Sequence, residues 1–133
     1  MEIFRLKKGD FLVKKLESLV NSKKEYGCLF GLGALESATL KLYDLSQKKY
    51  YRKTIRGSLE VGSFTAIIAS LNNKMIIHPH VVVSDSKFNC YCGHLEEGIV
   101  SATFEVIYIE SKKEIKRVFD KSIGLNLLIN KEE

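Results

Sequence analysis

All the histidines of this chain lie within seventeen residues, and two of its three cysteines lie among them. Successive side chains of a strand alternate between faces, so His78 and His80 would point the same way. The same period places Cys90, Cys92 and His94 on one face of a following strand. If the two strands pair, imidazoles and thiols converge, and these are ligands that zinc and other soft divalent metals prefer. The spacing favours a metal site; the alternative is a set of ordinary strand histidines that hydrogen-bond to the backbone.

Glu105 is an acidic residue that could support such a site. It lies among apolar residues of a long predicted strand, and a carboxylate that points inward needs a partner because burying it unpaired is costly. An inward Glu105 could orient a histidine by accepting its hydrogen bond, whereas an outward one would be a solvated surface charge. A three-histidine metal with Glu105 as base would suit a hydrolase. However, the sequence has no nucleophile elbow, P-loop or His-Glu-x-x-His motif that would identify a substrate.

The composition is that of a globular domain. Of 133 residues, 45% are hydrophobic and 28% are charged, which suits one domain with one core. No apolar run approaches the roughly 20 residues that cross a bilayer. The N-terminal residues lack the apolar stretch of a signal peptide, and the cysteine count is an odd three. We therefore expect reduced thiols, a cytoplasmic location and no membrane partner.

The charge permits an anionic partner without identifying one. The formal net charge is +5 and the pI is near 9.1. The basic residues come mostly as scattered doublets, such as Lys7-Lys8, Lys48-Lys49 and Lys116-Arg117. This pattern is more typical of a solvated lysine surface than of a phosphate-binding stripe. Any binding to DNA should be weak and nonspecific.

One helix is predicted near the start of the chain. A short strand at 3–6 ends before Gly9-Asp10, and Asp10 is a favoured residue for a helix N-cap. Four apolar residues then follow at helical spacing: Leu12, Leu16, Leu19 and Val20. The helix should end within residues 21–24.

The rest of the chain has the alternation of strands. We predict strands at 28–30, 38–43, 50–55, 64–71, 75–83, 99–109 and 113–119. Asn72-Asn73 tolerates positive φ and favours a hairpin turn. The order predicts an α+β single domain, residues 1–133, with a mainly antiparallel, curled sheet and one principal N-terminal helix. Since one helix cannot cover so many strands, the sheet must close into a barrel or another subunit must cover it.

Four segments resemble a known family in content and order. They are Arg5-Leu6-Lys7-Lys8-Gly9-Asp10, then Gly31-Leu32-Gly33-Ala34-Leu35, then His78-x-His80 with Gly93-His94-Leu95-x-x-Gly98-x-Val100 and Thr103-x-Glu105, and finally Asp120-x-x-x-Gly124-Leu125. Together they resemble the plant and prokaryote conserved domain, known as PPC or DUF296, with a core at about 4–128. Two positions depart from the family pattern. Pro79 stands between the first two histidines, which predicts an edge or bulged strand, and Cys92 stands where the family tends to have glycine.

The resemblance implies a compact fold that assembles as a homotrimer. It also supports a divalent metal, zinc in the first place, at His78, His80 and His94. Cys92 would either add a thiolate ligand or fill the space that glycine leaves.

Glycines at three positions are expected to let the backbone approach a neighbour closely, as at a trimer axis or a small pocket. They are Gly31, Gly33 and Gly93. The first two do not form a dinucleotide-binding loop, because the third glycine of that motif is missing.

Two functions are consistent with the sequence. In plants the domain accompanies AT-hook segments in nuclear DNA-binding proteins, but Arg56-Gly57-Ser58 does not match the Arg-Gly-Arg-Pro core of that motif. The first function is a non-enzymatic homotrimeric module with a ligand or metal site and a role in DNA-associated regulation. The second is a metal-dependent enzyme that acts on an unknown small molecule at a subunit boundary.

Overall fold

The computed structural model describes residues 1–129 as one helix and seven strands. The elements are β1 (Glu2–Lys7), α1 (Leu12–Lys23), β2 (Tyr26–Asp44), β3 (Lys49–Leu71), β4 (Lys74–Ser84), β5 (Cys90–Ser111), β6 (Arg117–Asp120) and β7 (Leu125–Leu128). Among these residues no helix is long and apolar enough to span a bilayer.

The main sheet is antiparallel and curls back on itself. Its strands lie in the order β1-β5-β2-β3-β4, and β4 at the end of this order also pairs with β5, which closes the sheet. The closing ladder runs from His80 opposite His94 to Ser84 opposite Cys90. Strand β5 therefore has three partners: one edge pairs with β2, while the other edge pairs with β4 over its first part and with β1 over its second part. This is the predicted α+β architecture, a curled antiparallel sheet with one helix.

Strands β2 and β3 are each longer than predicted. The sequence indicated separate strands at 28–30 and 38–43, and again at 50–55 and 64–71, whereas the structure joins each pair into one strand. Register shifts interrupt their ladders between Gly31 and Gly33 and between Leu35 and Ser37. Such bulges break the two-residue alternation and bend the strand without ending it, which is why the sequence pattern looked discontinuous.

Helix α1 covers the inner face of the sheet. Leu12, Leu16 and Val20 are almost fully buried, and they pack in one core with Phe64 and Phe104 of the sheet. The two phenylalanine rings meet edge to face, with centroids 5.4 Å apart. Three of the four predicted stripe residues therefore face the core, whereas Leu19 is only half-buried and Val13 is buried in addition.

The predicted N-cap at Asp10 is wrong. The cap position is Phe11, which offers no side-chain hydrogen bond, while the Asp10 carboxylate accepts from the backbone N–H of Lys7 instead. Glu97 of β5 takes over the role, because its carboxylate accepts from the N–H groups of Val13 at 2.7 Å and Lys14 at 3.1 Å. The helix is capped from the sheet, across 84 residues of sequence.

The sequence did not predict the closing hairpin of β6 and β7. Only one strand was expected near the C-terminus, at 113–119, whereas the structure has a separate two-stranded sheet. The backbone N–H of Ser70 donates to the carbonyl of Ile115 at 2.9 Å, which ties the start of this segment to β3. The hairpin thus lies beside the part of β4 that carries the first two histidines.

Candidate metal site

The three histidines lie on the outer surface of the curled sheet. On β4, Ile77 and Val81 face the core, so His78 and His80 face outward. His94 stands directly opposite His80 in the ladder between β4 and β5. Alternation on one strand and register with the next are therefore enough to bring all three imidazoles to one place.

Pro79 is accommodated because β4 is only partly paired. It lies opposite Ala66 of β3, but pairing with β5 begins only at the following residue, His80. A proline cannot donate a ladder hydrogen bond, and the strand edge that faces β5 is unpaired at this point. The position of Pro79 agrees with the edge expected from the sequence.

The geometry of the three rings suits a small metal ion. Nε2 of His78 and Nε2 of His80 are 3.2 Å apart. One nitrogen of each histidine lies within 4.8 Å of the others. Two imidazole nitrogens at zinc-bond length in tetrahedral geometry are about 3.3 Å apart, so modest side-chain rotation would bring the third nitrogen into place. Three neutral nitrogen ligands would leave one coordination position open, as in catalytic rather than structural zinc sites.

Burial keeps two of the imidazoles neutral. Desolvation, with the positive charge of Arg117 as the next cause, lowers the pKa of His78 to about 4. Desolvation, followed by the charge of Lys41, lowers the pKa of His94 to about 4. Both side chains are therefore unprotonated near neutral pH, which is the form that binds a metal.

Arg117 of β6 is a neighbour of the histidines that the sequence did not identify. Its Nη2 donates to Nδ1 of His78 at 3.0 Å, and its Nη1 donates to the carbonyl of Asn126 at 2.9 Å. Among the described residues, its buried Nε has no hydrogen-bond partner. Burial lowers the pKa of the guanidinium. In the sequence Arg117 looked like one of many basic doublets, and nothing local links it to a residue 39 positions away.

A cavity of about 280 Å³ lies between the histidines and the closing hairpin. His78, His94 and Arg117 contribute to its wall. The remaining lining residues are Tyr50, Ile76, Ile77, Gly124, Leu125, Asn126 and Leu127. This volume is close to the lower end of the range for small-molecule sites, about 300–1,000 Å³.

Two residues proposed from the sequence as helpers lie outside the cluster. Cys92 lies opposite Val82 and its thiol is exposed, so it is not a buried space-filler, and it is not among the grouped ligand atoms. Glu105 is exposed and lies eleven positions beyond His94 on the same strand, opposite Arg5 of β1. At about 3.3 Å per residue, that separation removes Glu105 from the histidines of its own chain.

The glycines expected to allow close approach pack against this chain's own strands. A Cβ on Gly31 would lie 2.6 Å from Cε1 of Phe104, and one on Gly33 would collide with the carbonyl of Thr103. A Cβ on Gly93 would lie 3.0 Å from the carbonyl oxygen of Lys41. Within the chain, these close neighbours belong to β5 and β2.

Comparison with known proteins identifies the family. Residues 2–112 match the Plants and Prokaryotes Conserved (PCC) domain, the family called PPC above. The match covers most of the 133 residues, so the chain belongs to the PCC domain family. A comparison with curated proteins gives no match.

Solved structures from several organisms share the fold. A candidate DNA-binding protein from Bacteroides thetaiotaomicron is 27% identical with a TM-score of 0.92, and the match covers 96% of this chain and 90% of that one. A metal-containing protein from Archaeoglobus fulgidus is 28% identical with a TM-score of 0.87, and the match covers 97% of this chain and 92% of that one. The α-acetolactate decarboxylase of Bacillus subtilis is 10% identical with a TM-score of 0.58, covering 98% of this chain and 61% of that one, and is similar in fold alone.

Proposed function

We propose that this protein is a cytoplasmic, homotrimeric PCC-domain module that binds one divalent metal ion per chain through His78, His80 and His94. Zinc is the first candidate, since imidazole is a preferred zinc ligand and three protein ligands are typical of zinc sites that keep one position open. The observation that carries the proposal is the approach of one ligand nitrogen from each histidine to within 4.8 Å of the others. The similar protein from Archaeoglobus fulgidus, which contains a metal, supports it.

Titration of zinc and nickel into the metal-free protein tests the site. By calorimetry we expect one ion per chain, with affinity at least about tenfold weaker in His80→Ala and in His94→Ala, because each loses one ligand. Cys92→Ser is the matched control, since its thiol is exposed on the neighbouring position of the same strand face. Equal binding by the wild type and both histidine variants would refute the site, and a weaker Cys92→Ser would add sulfur to the ligand set.

The proposed trimer rests on an apolar face that the chain leaves uncovered. Six outward side chains form this outer apolar face: Ile3, Phe30, Leu32, Ile67, Ile107 and Ile109. The register places Ile3 beside Ile107 and Ile107 beside Phe30, so the patch is continuous across β1, β5 and β2. Contiguous apolar surfaces of this kind are typical of association sites.

The outer apolar face lies next to the three histidines on the same surface of the sheet. Ile67 of β3 lies opposite His78, and Thr65 lies between Phe30 and His80 in the ladders. Two strand spacings, about 10 Å, therefore separate Phe30 from His80. A subunit seated on the apolar face would come close to the metal ligands, which supports a site at a subunit boundary.

We propose that any contact with DNA is electrostatic and nonspecific. Each chain carries +5, so a trimer would carry +15. The similar protein from Bacteroides thetaiotaomicron, described as a candidate DNA-binding protein, also supports the proposal. Retention on duplex DNA should fall steeply between low and physiological salt, because released counterions supply the binding energy. Tight, sequence-selective binding at physiological salt would contradict this proposal.

A metal-dependent enzyme is the second candidate. One observation favours it: the cavity of about 280 Å³ borders two of the three histidines. Three histidine ligands would also leave a coordination position open for a substrate. A fourth protein ligand closing the coordination sphere of the loaded protein, shown by X-ray absorption spectroscopy, would argue against it.

A further inference from the structure

The wall of the cavity beside the histidines selects for a particular ligand chemistry. Most of its lining is apolar, from Ile76, Leu125 and Leu127 among others. Within residues 1–129, Arg117 contributes the one charged side chain of that lining, and no carboxylate lines it. A pocket with apolar walls and a single guanidinium suits a small molecule with an aliphatic body and one negative charge.

The hydrogen bond between Arg117 and His78 fixes a proton. A guanidinium can only donate, so Nδ1 of His78 must accept, and a neutral His78 then carries its proton on Nε2. Nε2 is also the atom that lies 3.2 Å from Nε2 of His80, in the middle of the proposed ligand set. This arrangement describes the protein without metal.

Metal binding and this hydrogen bond exclude each other for a neutral imidazole. Coordination through Nε2 of His78 uses the lone pair there, so the ring must carry its proton on Nδ1 instead. An N–H at Nδ1 cannot accept from Arg117. The guanidinium must then turn away from His78. Arg117 lines the cavity, and its buried Nε has no hydrogen-bond partner among the described residues, so the freed guanidinium is available to a ligand there.

We propose that the cavity binds a small aliphatic carboxylate and that metal loading creates the site by releasing Arg117 from His78. The carboxylate pairs with the freed guanidinium beside the metal, and its aliphatic body packs against Leu125 and Leu127. The proposal deepens the metal-binding function and rests on it. Bidentate pairing of a carboxylate with Arg is among the strongest polar contacts available to a protein, and a neighbouring cation strengthens it.

Calorimetry with isobutyrate, and with the uncharged isobutyramide of the same shape, tests the proposal. Isobutyrate should bind the zinc-loaded wild type and bind at least about tenfold more weakly to the metal-free protein and to zinc-loaded Arg117→Gln. Arg56→Gln is the control, since it removes the same charge from an exposed position of β3. Leu127→Trp should also block isobutyrate by filling the cavity, while it leaves Arg117 and the histidines intact.

Zinc affinity and the His78 tautomer provide readouts that do not depend on the carboxylate. Arg117→Gln should bind zinc about fivefold more tightly than the wild type, because one competing hydrogen bond is gone. Nitrogen NMR of the imidazoles should show the His78 proton on Nε2 without metal and on Nδ1 with zinc.

The outcomes distinguish failure of the metal site from failure of the carboxylate site. Absence of zinc binding in the wild type would overturn the metal function and this proposal with it. If zinc binds, three results would each overturn the carboxylate site alone. They are an isobutyrate affinity that is unchanged in Arg117→Gln, an equal affinity for isobutyramide, and a preference for inorganic phosphate over isobutyrate. Zinc binding weakened in Arg117→Gln would overturn the release of Arg117.

Discussion

At the scale of single residues, Glu97 connects the sheet to the helix. Its carboxylate accepts from two N–H groups in the first turn of α1 and from the N–H of Gly98 at 2.9 Å. A negative charge at this end of a helix also interacts favourably with the helix dipole. The first turn itself has no acidic residue, so this distant carboxylate is the one that α1 uses.

Replacing Glu97 with glutamine should destabilise the protein by about 1–2 kcal/mol, since the amide keeps one acceptor and loses the charge. Urea unfolding of Glu97→Gln measures this loss. Glu36→Gln, an exposed change of the same kind, is the control and should leave the midpoint nearly unchanged. An equal midpoint for Glu97→Gln and the wild type would show that the cap contributes nothing.

Glu17 of the same helix destabilises the protein when it is ionised, whereas Glu97 stabilises it. Burial, and after it the charge of Glu97, raises the pKa of Glu17 above its usual value. The folded protein therefore holds this proton to higher pH than the unfolded chain, and stability falls as pH rises through the interval between the two pKa values. Glu17→Gln should raise the melting temperature at pH 7, and the gain should disappear near pH 4.

Thermal melts at both pH values measure this change in melting temperature, with Glu60→Gln at an exposed position as the control. A lower melting temperature for Glu17→Gln at pH 7 would contradict it.

The sequence identified the histidines but not the arginine beside them, and the reason is physical. Alternation along a strand is a local rule, so the common face of His78 and His80 could be read directly. Their meeting with His94 needed only the pairing of β4 with β5. Arg117 reaches His78 from a separate hairpin, and Glu105 proved to lie far along a continuous strand. Both depend on tertiary placement that no periodicity encodes.

At the scale of elements, the turn between β6 and β7 holds the hairpin over the cavity. Oδ1 of Asp120 accepts from the hydroxyl and N–H of Ser122 and from the N–H of Ile123. The hydroxyl of Tyr43 donates to the carbonyl of Ile123 at 2.7 Å, which anchors the turn to β2. Gly124 is required there, since its φ is +83° and a Cβ would meet the Tyr43 hydroxyl.

Asp120→Ala should loosen this hairpin more than it lowers global stability. The hydrogen bond from the Ser122 hydroxyl, followed by that from the Ile123 N–H, lowers the pKa of Asp120. The contribution is therefore present above the usual carboxyl pKa and is lost as pH falls through the folded-state value. Amide hydrogen exchange should show faster exchange across residues 117–128 in Asp120→Ala at neutral pH.

Asp85→Ala is the matched control for the hairpin. Its carboxylate also accepts within an exposed turn, from the N–H groups of Lys87 and Asn89, but between β4 and β5. Unchanged exchange in the hairpin of Asp120→Ala, or equal loss in Asp85→Ala, would show that the Asp120 turn does not hold β6 and β7 in place.

At the scale of the whole molecule, the outer apolar face predicts assembly. Ile107 lies near its centre, with Ile3 on one side and Phe30 on the other. A buried aspartate there would be unpaired and costly, so Ile107→Asp should shift the proposed trimer to monomers in sedimentation at micromolar concentration. Leu45→Asp, in an exposed turn outside this face, should remain trimeric. A monomeric wild type would contradict the prediction.

Pairing of β1 with β5 has a consequence for how the chain folds. Glu2 lies opposite Tyr108, so β1 is synthesised about 100 residues before its partner. At ribosomal rates of about 5–20 residues per second, β1 waits roughly 5 to 20 s for that partner. Closing a loop of this length early in folding is slow, and domains dominated by such pairings typically fold in milliseconds to seconds. Helix α1 and the hairpin of β3 and β4, which turns at Asn72-Asn73, can form first, and β1 completes the sheet at the end.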